Sequence, residues 1–308
     1  MTLGIVGKAL FNFETDEQAQ AISRAMSVCL NIFKSRMFFP WPRLLEWLPL
    51  PRTFQLRSSR KLLNETIDRM IAERRKTGED RKDLLSMLLR AQDPEGDGKG
   101  MTDRQVRDEA MTLFLAGHET TANALTWTWY LLAQNPEVER KLQAEVDKVL
   151  GDKLPTLEDL PRLNYVERVF AEALRLYPPG WILDYQAVET FELNGTSIPK
   201  GALLVMSQYV IHRDPRYYPD PERFDPDRWT PEAKAARPRF SFFPFGGGPR
   251  GCIGEPFAWM EAVFTISILA RQWQARLVPG YRVEIQPTVT LRPKNGVKAV
   301  LVKRNRKS

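Results

Sequence analysis

The sequence predicts a single domain, residues 1–308, with a mainly α-helical fold and a small β region in its second half. Three observations favour this fold class. Apolar residues recur at helical spacing through most of the first 176 residues. After residue 185, the dipeptide Asn194-Gly195 gives a two-residue hairpin signal between short strand-like segments. No internal repeat and no linker divides the 308 residues into two domains.

The first half of the chain is predicted to be a series of helices. The longest begins at a capping box of Thr102 and Gln105, and at the standard rise its length of roughly 48 Å would cross most of a globular domain. Asn135 and Pro136 are a cap and first-turn pair that opens the next helix. The predicted helices are Glu17–Lys34, Phe54–Lys76, Arg81–Ala91, Thr102–Gln134, Pro136–Gly151 and one that ends at Leu176.

The second half alternates strands, coil and one further helix. Short β-branched and aromatic segments predict strands in or near Gln186–Ile198, Leu203–Val210, Tyr281–Ile285 and Val297–Val302. Pro215–Pro231 is rich in Pro, Asp and Arg and indicates ordered coil. Apolar spacing predicts a helix over Pro256–Trp273.

Composition narrows the class of protein. The 308 residues are 43% hydrophobic, which is enough for one large core or two modest ones. Only two cysteines occur, which fits a reducing compartment, and Cys29 is interpreted as a buried free thiol. No apolar run is long enough to span a bilayer and no secretory signal opens the chain, so the sequence as given predicts a cytoplasmic protein. The net charge of +7 allows an acidic partner, but no segment resembles a nucleic-acid-binding module, and we expect no nucleic acid partner.

The most informative segment is the glycine-rich turn 245–254, which contains Cys252 and leads into a helix. A zinc site would need four nitrogen or sulfur ligands, and no second ligand of matching type lies nearby. A single thiolate with open space around it suits an iron porphyrin, which supplies its own four nitrogens. Glycines at 246, 247, 248, 251 and 254 present no Cβ to clash with a flat ring. The alternative is a glycine-rich surface turn with an incidental cysteine.

This segment resembles the haem-binding signature of the cytochrome P-450 family, which is Phe-x-x-Gly-x-Arg-x-Cys-x-Gly. Every fixed position is present, namely Phe245, Gly248, Arg250, Cys252 and Gly254. The resemblance implies that haem b is the cofactor and that Cys252 is its iron ligand. It further implies that Phe245 packs beside the thiolate, that Gly254 lies at the cofactor and that Arg250 contacts a haem propionate.

A second motif lies in the middle of the long predicted helix. Ala116-Gly117-His118-Glu119-Thr120-Thr121 is a poor helix interior, and it resembles the oxygen-binding motif of the same family. The resemblance implies that Glu119 and Thr120 are the catalytic acid–alcohol pair that delivers protons to bound dioxygen. The alternative is a solvated acid beside two β-branched residues.

A third motif places Glu172 and Arg175 three residues apart on one helix face. The resemblance implies that they form a buried structural network with Arg223, from the segment Pro221-Glu222-Arg223-Phe224. The alternative is an ordinary exposed pair that contributes little to stability.

The resemblance also implies a substrate pocket and a reaction. Its lining is expected to be mostly apolar and indicates a hydrophobic small molecule. The reaction would be monooxygenation, with dioxygen as co-substrate and with electrons from a partner protein, either a ferredoxin or a flavoprotein reductase. The alternatives are a peroxide-driven peroxygenase and a haem-binding remnant without turnover. The expected lining residues are Ala116, Gly180, Trp181, Ile182 and Thr290.

The chain departs from the family at its start. Thr120 comes earlier than the family pattern places it, and no Trp-x-x-x-Arg occurs before residue 40. The sequence therefore predicts a partial, N-terminally truncated domain that lacks the first strands and early helices. A membrane anchor could belong to that part.

Overall fold

The structure is a computed structural model. It describes residues 1–11, 51–93 and 98–305, together with residues 22, 24–26, 28, 29 and 32. The chain forms two compact units, Met1–Glu119 and Thr120–Ser308. That all 308 residues act as a single domain stays a prediction.

The first unit is helical. It contains α1 (Thr2–Phe11), α2 (Pro51–Thr77), α3 (Leu84–Arg90) and the beginning of α4 (Asp103–Gln134). The sequence predicted α2, α3 and α4 to within a few residues and did not predict α1. Of the predicted helix Glu17–Lys34, residues 22, 24–26, 28, 29 and 32 are helical, and the rest lies outside the described residues.

Two caps explain where helices of this unit begin. The Asp83 carboxylate accepts a hydrogen bond from the Ser86 amide at 2.9 Å and starts α3. The predicted capping box at α4 is present, since the Gln105 amide donates to the Thr102 hydroxyl at 3.3 Å and the Thr102 amide donates to Gln105 Oε1 at 2.9 Å. Helix α4 then continues without a break through Gly117.

The longer helices of the second unit pack around a shared apolar core. The unit continues with α5 (Pro136–Leu150), a 3₁₀ turn (Leu157–Arg162), α6 (Asn164–Leu176), α7 (Gln208–Ile211), a 3₁₀ turn (Pro226–Trp229) and α8 (Pro231–Ala235). A 3₁₀ turn (Gly248–Arg250) and α9 (Glu255–Gln272) follow. Fully buried side chains from α4, α5, α6 and α9 meet in the core, and each Val, Leu or Ile among them stabilises the fold by about 1.5–3 kcal/mol. Among them are Leu132, Leu142, Val146, Val166, Val169, Ala262 and Ile266.

Among the described residues, four antiparallel strand pairs complete the second unit. They are β1 (Leu183–Gln186) with β4 (Leu203–Met206), β2 (Phe191–Leu193) with β3 (Thr196–Ile198), β5 (Trp273–Leu277) with β8 (Ala299–Lys303), and β6 (Ile285–Pro287) with β7 (Leu291–Pro293). The predicted Asn194-Gly195 turn joins β2 to β3, and both residues have positive φ, 49° and 78°. The prediction of a mainly helical fold with a small β region is confirmed.

Three boundaries predicted from the sequence are corrected. The strand predicted over Leu203–Val210 ends at Met206, because the Ser207 hydroxyl accepts from the Val210 amide and caps α7. The strand predicted over Tyr281–Ile285 begins only at Ile285. The coil Pro215–Pro231 includes the 3₁₀ turn at Pro226–Trp229 and the first residue of α8.

Within the described residues, no helix combines the length and the apolar character needed to cross a membrane.

Candidate functional site

The glycine-rich turn of the sequence is a loop held by its own backbone. The Gly246 amide donates to the Phe243 carbonyl at 2.9 Å, and the Cys252 amide donates to the Phe245 carbonyl at 2.9 Å. Gly246 and Gly248 have φ values of +75° and +68°, which favour glycine. We call residues 243–254 the cysteine loop. Its hydrogen bonds fold the backbone back on itself and bring Cys252 directly before α9.

The cysteine loop presents its thiol outward. Cys252 is a free cysteine and is exposed. A Cβ added to Gly254 would lie 3.8 Å from Cys252 Sγ, so glycine at this position keeps one side of the sulfur open. Arg250 is also exposed, and it makes no hydrogen bond or ion pair with any residue that the structure describes. The half-buried Phe245 ring packs near Trp259 of α9, with ring centroids 6.0 Å apart.

Helix α6 carries a buried ion pair. Glu172 and Arg175 of α6 are both 0% exposed, and two hydrogen bonds of 2.8 Å join their carboxylate and guanidinium groups. The same carboxylate accepts from the Asp225 amide at 3.0 Å and from Trp229 Nε1 at 2.9 Å. The predicted Glu172–Arg175 pair is therefore a fully enclosed network and not a solvated helix face.

The predicted third member of this network is corrected. Arg223 contributes its main-chain carbonyl, which accepts from Arg175 Nη2 at 3.1 Å, while its side chain is exposed. The guanidinium that approaches Glu172 belongs to Arg228, at 3.4 Å. The sequence contains two similar patterns, Pro221-Glu222-Arg223-Phe224 and Pro226-Asp227-Arg228-Trp229, and the prediction chose the first. The second supplies both Arg228 and Trp229.

Sequence reasoning also missed two buried residues beside the network. His212 is fully buried, and its carbonyl accepts from Arg175 Nη1 at 2.9 Å. Tyr218 is fully buried, and its hydroxyl donates to the Ser241 carbonyl at 3.1 Å. Burial raises the pKa of the Tyr218 phenol. The segment His212-Arg213-Asp214 lies in the coil after a short helix, and no local pattern marks it as part of a site.

Three of the predicted pocket residues lie together. The main chain joins their two segments, because the Leu291 amide donates to the Pro179 carbonyl at 2.9 Å. Trp181 Nε1 donates to the Thr288 carbonyl at 2.9 Å, and the Thr290 hydroxyl accepts from Asn123 Nδ2 of α4 at 3.1 Å.

The same region lies next to the cysteine loop. A Cβ at Gly180 would be 3.8 Å from the Pro244 carbonyl, and a Cβ at Gly246 would be 3.4 Å from Leu183 Cδ1. Ile182 is 38% exposed. Gly180, Trp181 and Thr290 are thus brought to one region beside the loop, and their role as a pocket stays a prediction.

The remaining predicted residues lie on α4. Glu119 and Thr120 are consecutive, half-buried residues at the boundary in sequence between the two units, and Ala116 is exposed one turn earlier. Beside them, burial lowers the pKa of His118, although the charge of Glu119 opposes the shift. The proton-transfer role of Glu119 and Thr120 and the pocket role of Ala116 stay predictions.

The helical fold, the outward-facing cysteine and the buried Glu–Arg pair define a haem-thiolate class of protein, and comparison with known proteins agrees. The family model described as Cytochrome P450 matches residues 1–302, and the chain belongs to this family. It is also similar to the solved haem domain of cytochrome P450DA, with a TM-score of 0.86 and 30% identity over 99% of this chain and 66% of that one.

Curated relatives come from bacteria and from humans. Cyclooctatin synthase of Streptomyces melanosporofaciens is 43% identical over 94% of this chain and 63% of its own length. Pentalenene oxygenase of Streptomyces avermitilis is 37% identical over 95% of this chain and 63% of its own length. Human Cytochrome P450 4V2 is 34% identical over 95% of this chain and 59% of its own length. The chain thus spans less than two thirds of the length of these relatives.

Haem b is the cofactor of this family, and the residues present fit it. The cysteine loop offers one exposed sulfur with the Gly254 side left open, which suits a metal that needs a single protein ligand. The Arg250 guanidinium, which has no partner among the residues that the structure describes, suits a carboxylate of the cofactor. Elsewhere in the described residues, no group of three or more His, Cys, Asp or Glu side chains could hold a metal ion.

Proposed function

We propose that this chain is the haem-binding part of a monooxygenase that inserts one oxygen atom of dioxygen into a hydrophobic small molecule. The observation that supports this most is the contrast at Cys252. Its thiol is exposed, yet the loop that holds it is joined through His212 to the fully enclosed Glu172–Arg175 pair, since His212 Nε2 accepts from the Phe243 amide and the His212 carbonyl accepts from Arg175 Nη1. A side chain held this firmly and left open is suited to ligate a cofactor.

Each predicted site residue has a physical task in this proposal. Cys252 Sγ binds the iron as a thiolate, and Arg250 orients the cofactor through its carboxylates. Trp181 and Ile182 exclude water from the substrate side. The Glu119 carboxyl group holds a proton and the Thr120 hydroxyl passes it on. When bound, haem supplies the redox chemistry that activates dioxygen.

The names of the relatives support the substrate class. Pentalenene oxygenase is named for an alkene, and Cyclooctat-9-en-7-ol 5-monooxygenase of Streptomyces melanosporofaciens, 42% identical over 77% of this chain, is named for an alkenol. We infer a similarly apolar substrate here. The net charge of +7 fits an acidic electron-donor protein, a ferredoxin or a flavoprotein reductase.

The test of ligation uses both cysteines. The 308-residue chain reconstituted with haem should show the strongly red-shifted ferrous–CO Soret band of thiolate ligation, and Cys252→Ala should abolish it. Cys29→Ala is the matched control, because it removes the other free thiol and should leave the band in place. An unchanged spectrum in Cys252→Ala would refute the ligand assignment.

The test of proton delivery uses a threonine control on the same helix. Thr120→Ala should release more hydrogen peroxide per reductant consumed, with normal haem content. Thr112→Ala removes an exposed hydroxyl that bonds the Asp108 carbonyl at 2.8 Å, and it should leave coupling unchanged. Unchanged coupling in Thr120→Ala would mean that the pair is structural, or that turnover runs on peroxide as a peroxygenase.

A further inference from the structure

His212 connects the buried network to the cysteine loop. Its backbone belongs to the network, because its carbonyl accepts from Arg175 Nη1 at 2.9 Å. Its amide donates to the Gln208 carbonyl at 2.8 Å, which ends α7. The residue is 0% exposed, so neither contact competes with water.

The imidazole of His212 points to the start of the cysteine loop. Nε2 accepts a hydrogen bond from the Phe243 amide at 3.0 Å, across 31 residues of sequence. The ring packs against Phe242 and Phe243, with centroids 5.0 and 5.3 Å away. The Phe243 carbonyl in turn accepts from the Gly246 amide, which forms the turn that leads to Cys252.

We propose that His212 is a positioning residue, which fixes the start of the cysteine loop on the Glu172–Arg175 network and so sets the direction of Cys252 Sγ. This inference rests on the proposed role of Cys252 as the iron ligand. A continuous set of hydrogen bonds runs from the Glu172 carboxylate through Arg175 and His212 to the loop.

An uncharged imidazole suits this position. Nε2 can accept from the Phe243 amide only while it carries no proton. Burial, together with the positive charges of Arg175 and Arg213, lowers the pKa of His212 to about 3, so the acceptor stays available near neutral pH. Without an acceptor, the buried Phe243 amide would lose its partner, which costs more than a simple lost hydrogen bond.

Two substitutions distinguish the contribution of the Nε2 acceptor of His212 from that of its aromatic ring. His212→Phe keeps an aromatic ring between Phe242 and Phe243 but removes the acceptor. His212→Gln removes the ring and keeps an acceptor, Oε1, at a similar distance from Cα. The matched control is Tyr218→Phe, which removes one buried hydrogen bond to the Ser241 carbonyl, two residues before Phe243.

The experiment compares the ferrous–CO spectra of the three haem-loaded variants. The ratio of thiolate-type to neutral-thiol-type absorption should fall about tenfold in His212→Phe. It should stay within about twofold of the wild type in His212→Gln, because an acceptor remains. Tyr218→Phe should match the wild type, since the Phe243 amide keeps its acceptor, His212 Nε2.

Amide hydrogen exchange of the cofactor-free chain is the second measurement, and it applies even where His212→Phe retains no haem. Exchange at Phe243 and Gly246 should quicken in His212→Phe but not in Tyr218→Phe. The inference is overturned if His212→Phe keeps both the spectrum and the exchange pattern, or if Tyr218→Phe changes them equally. Failure of the proposed function is distinct, because Cys252→Ala would then leave the spectrum unchanged while the exchange comparison still decides the role of His212.

Discussion

The Glu172–Arg175 network and the cysteine loop lie in the same unit but meet opposite requirements. Both side chains of the network are completely buried, and the Glu172 carboxylate accepts hydrogen bonds from three neighbouring groups. In the loop, Cys252 and Arg250 are exposed, and Arg250 has no partner among the described residues. The comparison teaches that groups left without an internal partner can serve a ligand, while the satisfied groups supply the rigidity.

The two regions also differ in which part of the chain makes the contacts. The network depends on the Glu172 and Arg175 side chains, which bond each other and neighbouring backbone groups, so its stability depends on residue type at a few positions. The loop is held by backbone hydrogen bonds, such as that from the Cys252 amide to the Phe245 carbonyl. Substitutions in the network should therefore act on stability, and substitutions in the loop should act on ligation.

The largest expected effect on the free energy of unfolding is at the Glu172–Arg175 network. Glu172→Gln removes the charge that compensates Arg175, and it should lower the free energy of unfolding by about 3–5 kcal/mol, because a buried guanidinium is left without its counterion. Chemical denaturation of the wild-type protein and of Glu172→Gln measures this difference in unfolding free energy.

A second Glu–Arg pair with the same spacing is the control. Glu137 and Arg140 of α5 form an ion pair three residues apart, but both side chains are exposed. Glu137→Gln should change the free energy of unfolding by less than about 0.5 kcal/mol. Equal losses at Glu172 and Glu137 would show that burial does not distinguish the two pairs.

An intermediate effect on stability is expected at Glu261 of α9, a buried glutamate that differs from Glu172 in its hydrogen bonding. Glu261 is 4% exposed, and neither carboxylate oxygen has a hydrogen-bond partner among the described residues. Burial raises the pKa of its carboxyl group from 4.5 to about 7. The folded chain therefore binds this proton more tightly than the unfolded chain does, and stability falls as the pH rises from 4.5 through 7.

Glu261→Gln should remove this dependence of stability on pH. The variant should be more stable than the wild type by about 3 kcal/mol at pH 8 and nearly equal to it at pH 4. Glu255→Gln, at an exposed position of the same helix, should stay within about 0.5 kcal/mol of the wild type at both pH values. A wild-type advantage at pH 8 would show that Glu261 has a stabilising partner when ionised.

The sequence predicted what depends on neighbouring residues. Cys252 and Arg250 lie in one local motif, and Glu172 and Arg175 share one turn of helix, so both sets could be recognised by their resemblance to the family's motifs, while the cofactor-binding roles of Cys252 and Arg250 stay predictions. His212 could not, because its partner Phe243 is 31 residues away and only the folded chain joins them. Arg228 was missed because a similar pattern precedes it.

The strands were the least predictable part of the fold. Strands β1, β5 and β7 are three to five residues long, and none of them was predicted from the sequence with these bounds. The partner of β5 is β8, which begins more than 20 residues after β5 ends, so the pairing depends on contacts that no short window contains. By contrast, the β2–β3 hairpin is local, and its Asn194-Gly195 turn was predicted.

The smallest expected effect on the free energy of unfolding comes from two glycine substitutions. Their comparison distinguishes the geometry of the cysteine loop from the overall stability of the fold. Gly246 in the loop and Gly280 in a turn after β5 both have a φ of +75°. Alanine at either position should cost about 1 kcal/mol of unfolding free energy, because a Cβ strains this backbone conformation. A Cβ at Gly246 would also meet Leu183 Cδ1 at 3.4 Å, whereas nothing lies within 4 Å at Gly280.

Only Gly246→Ala should alter the site. We expect it to reduce haem retention and the thiolate-type share of the ferrous–CO spectrum, while Gly280→Ala leaves both unchanged at the same loss of stability. Thermal denaturation, haem content and the spectrum of the two variants make the comparison. If both variants lose thiolate ligation equally, ligation follows overall stability, and the cysteine loop has no separate geometric requirement.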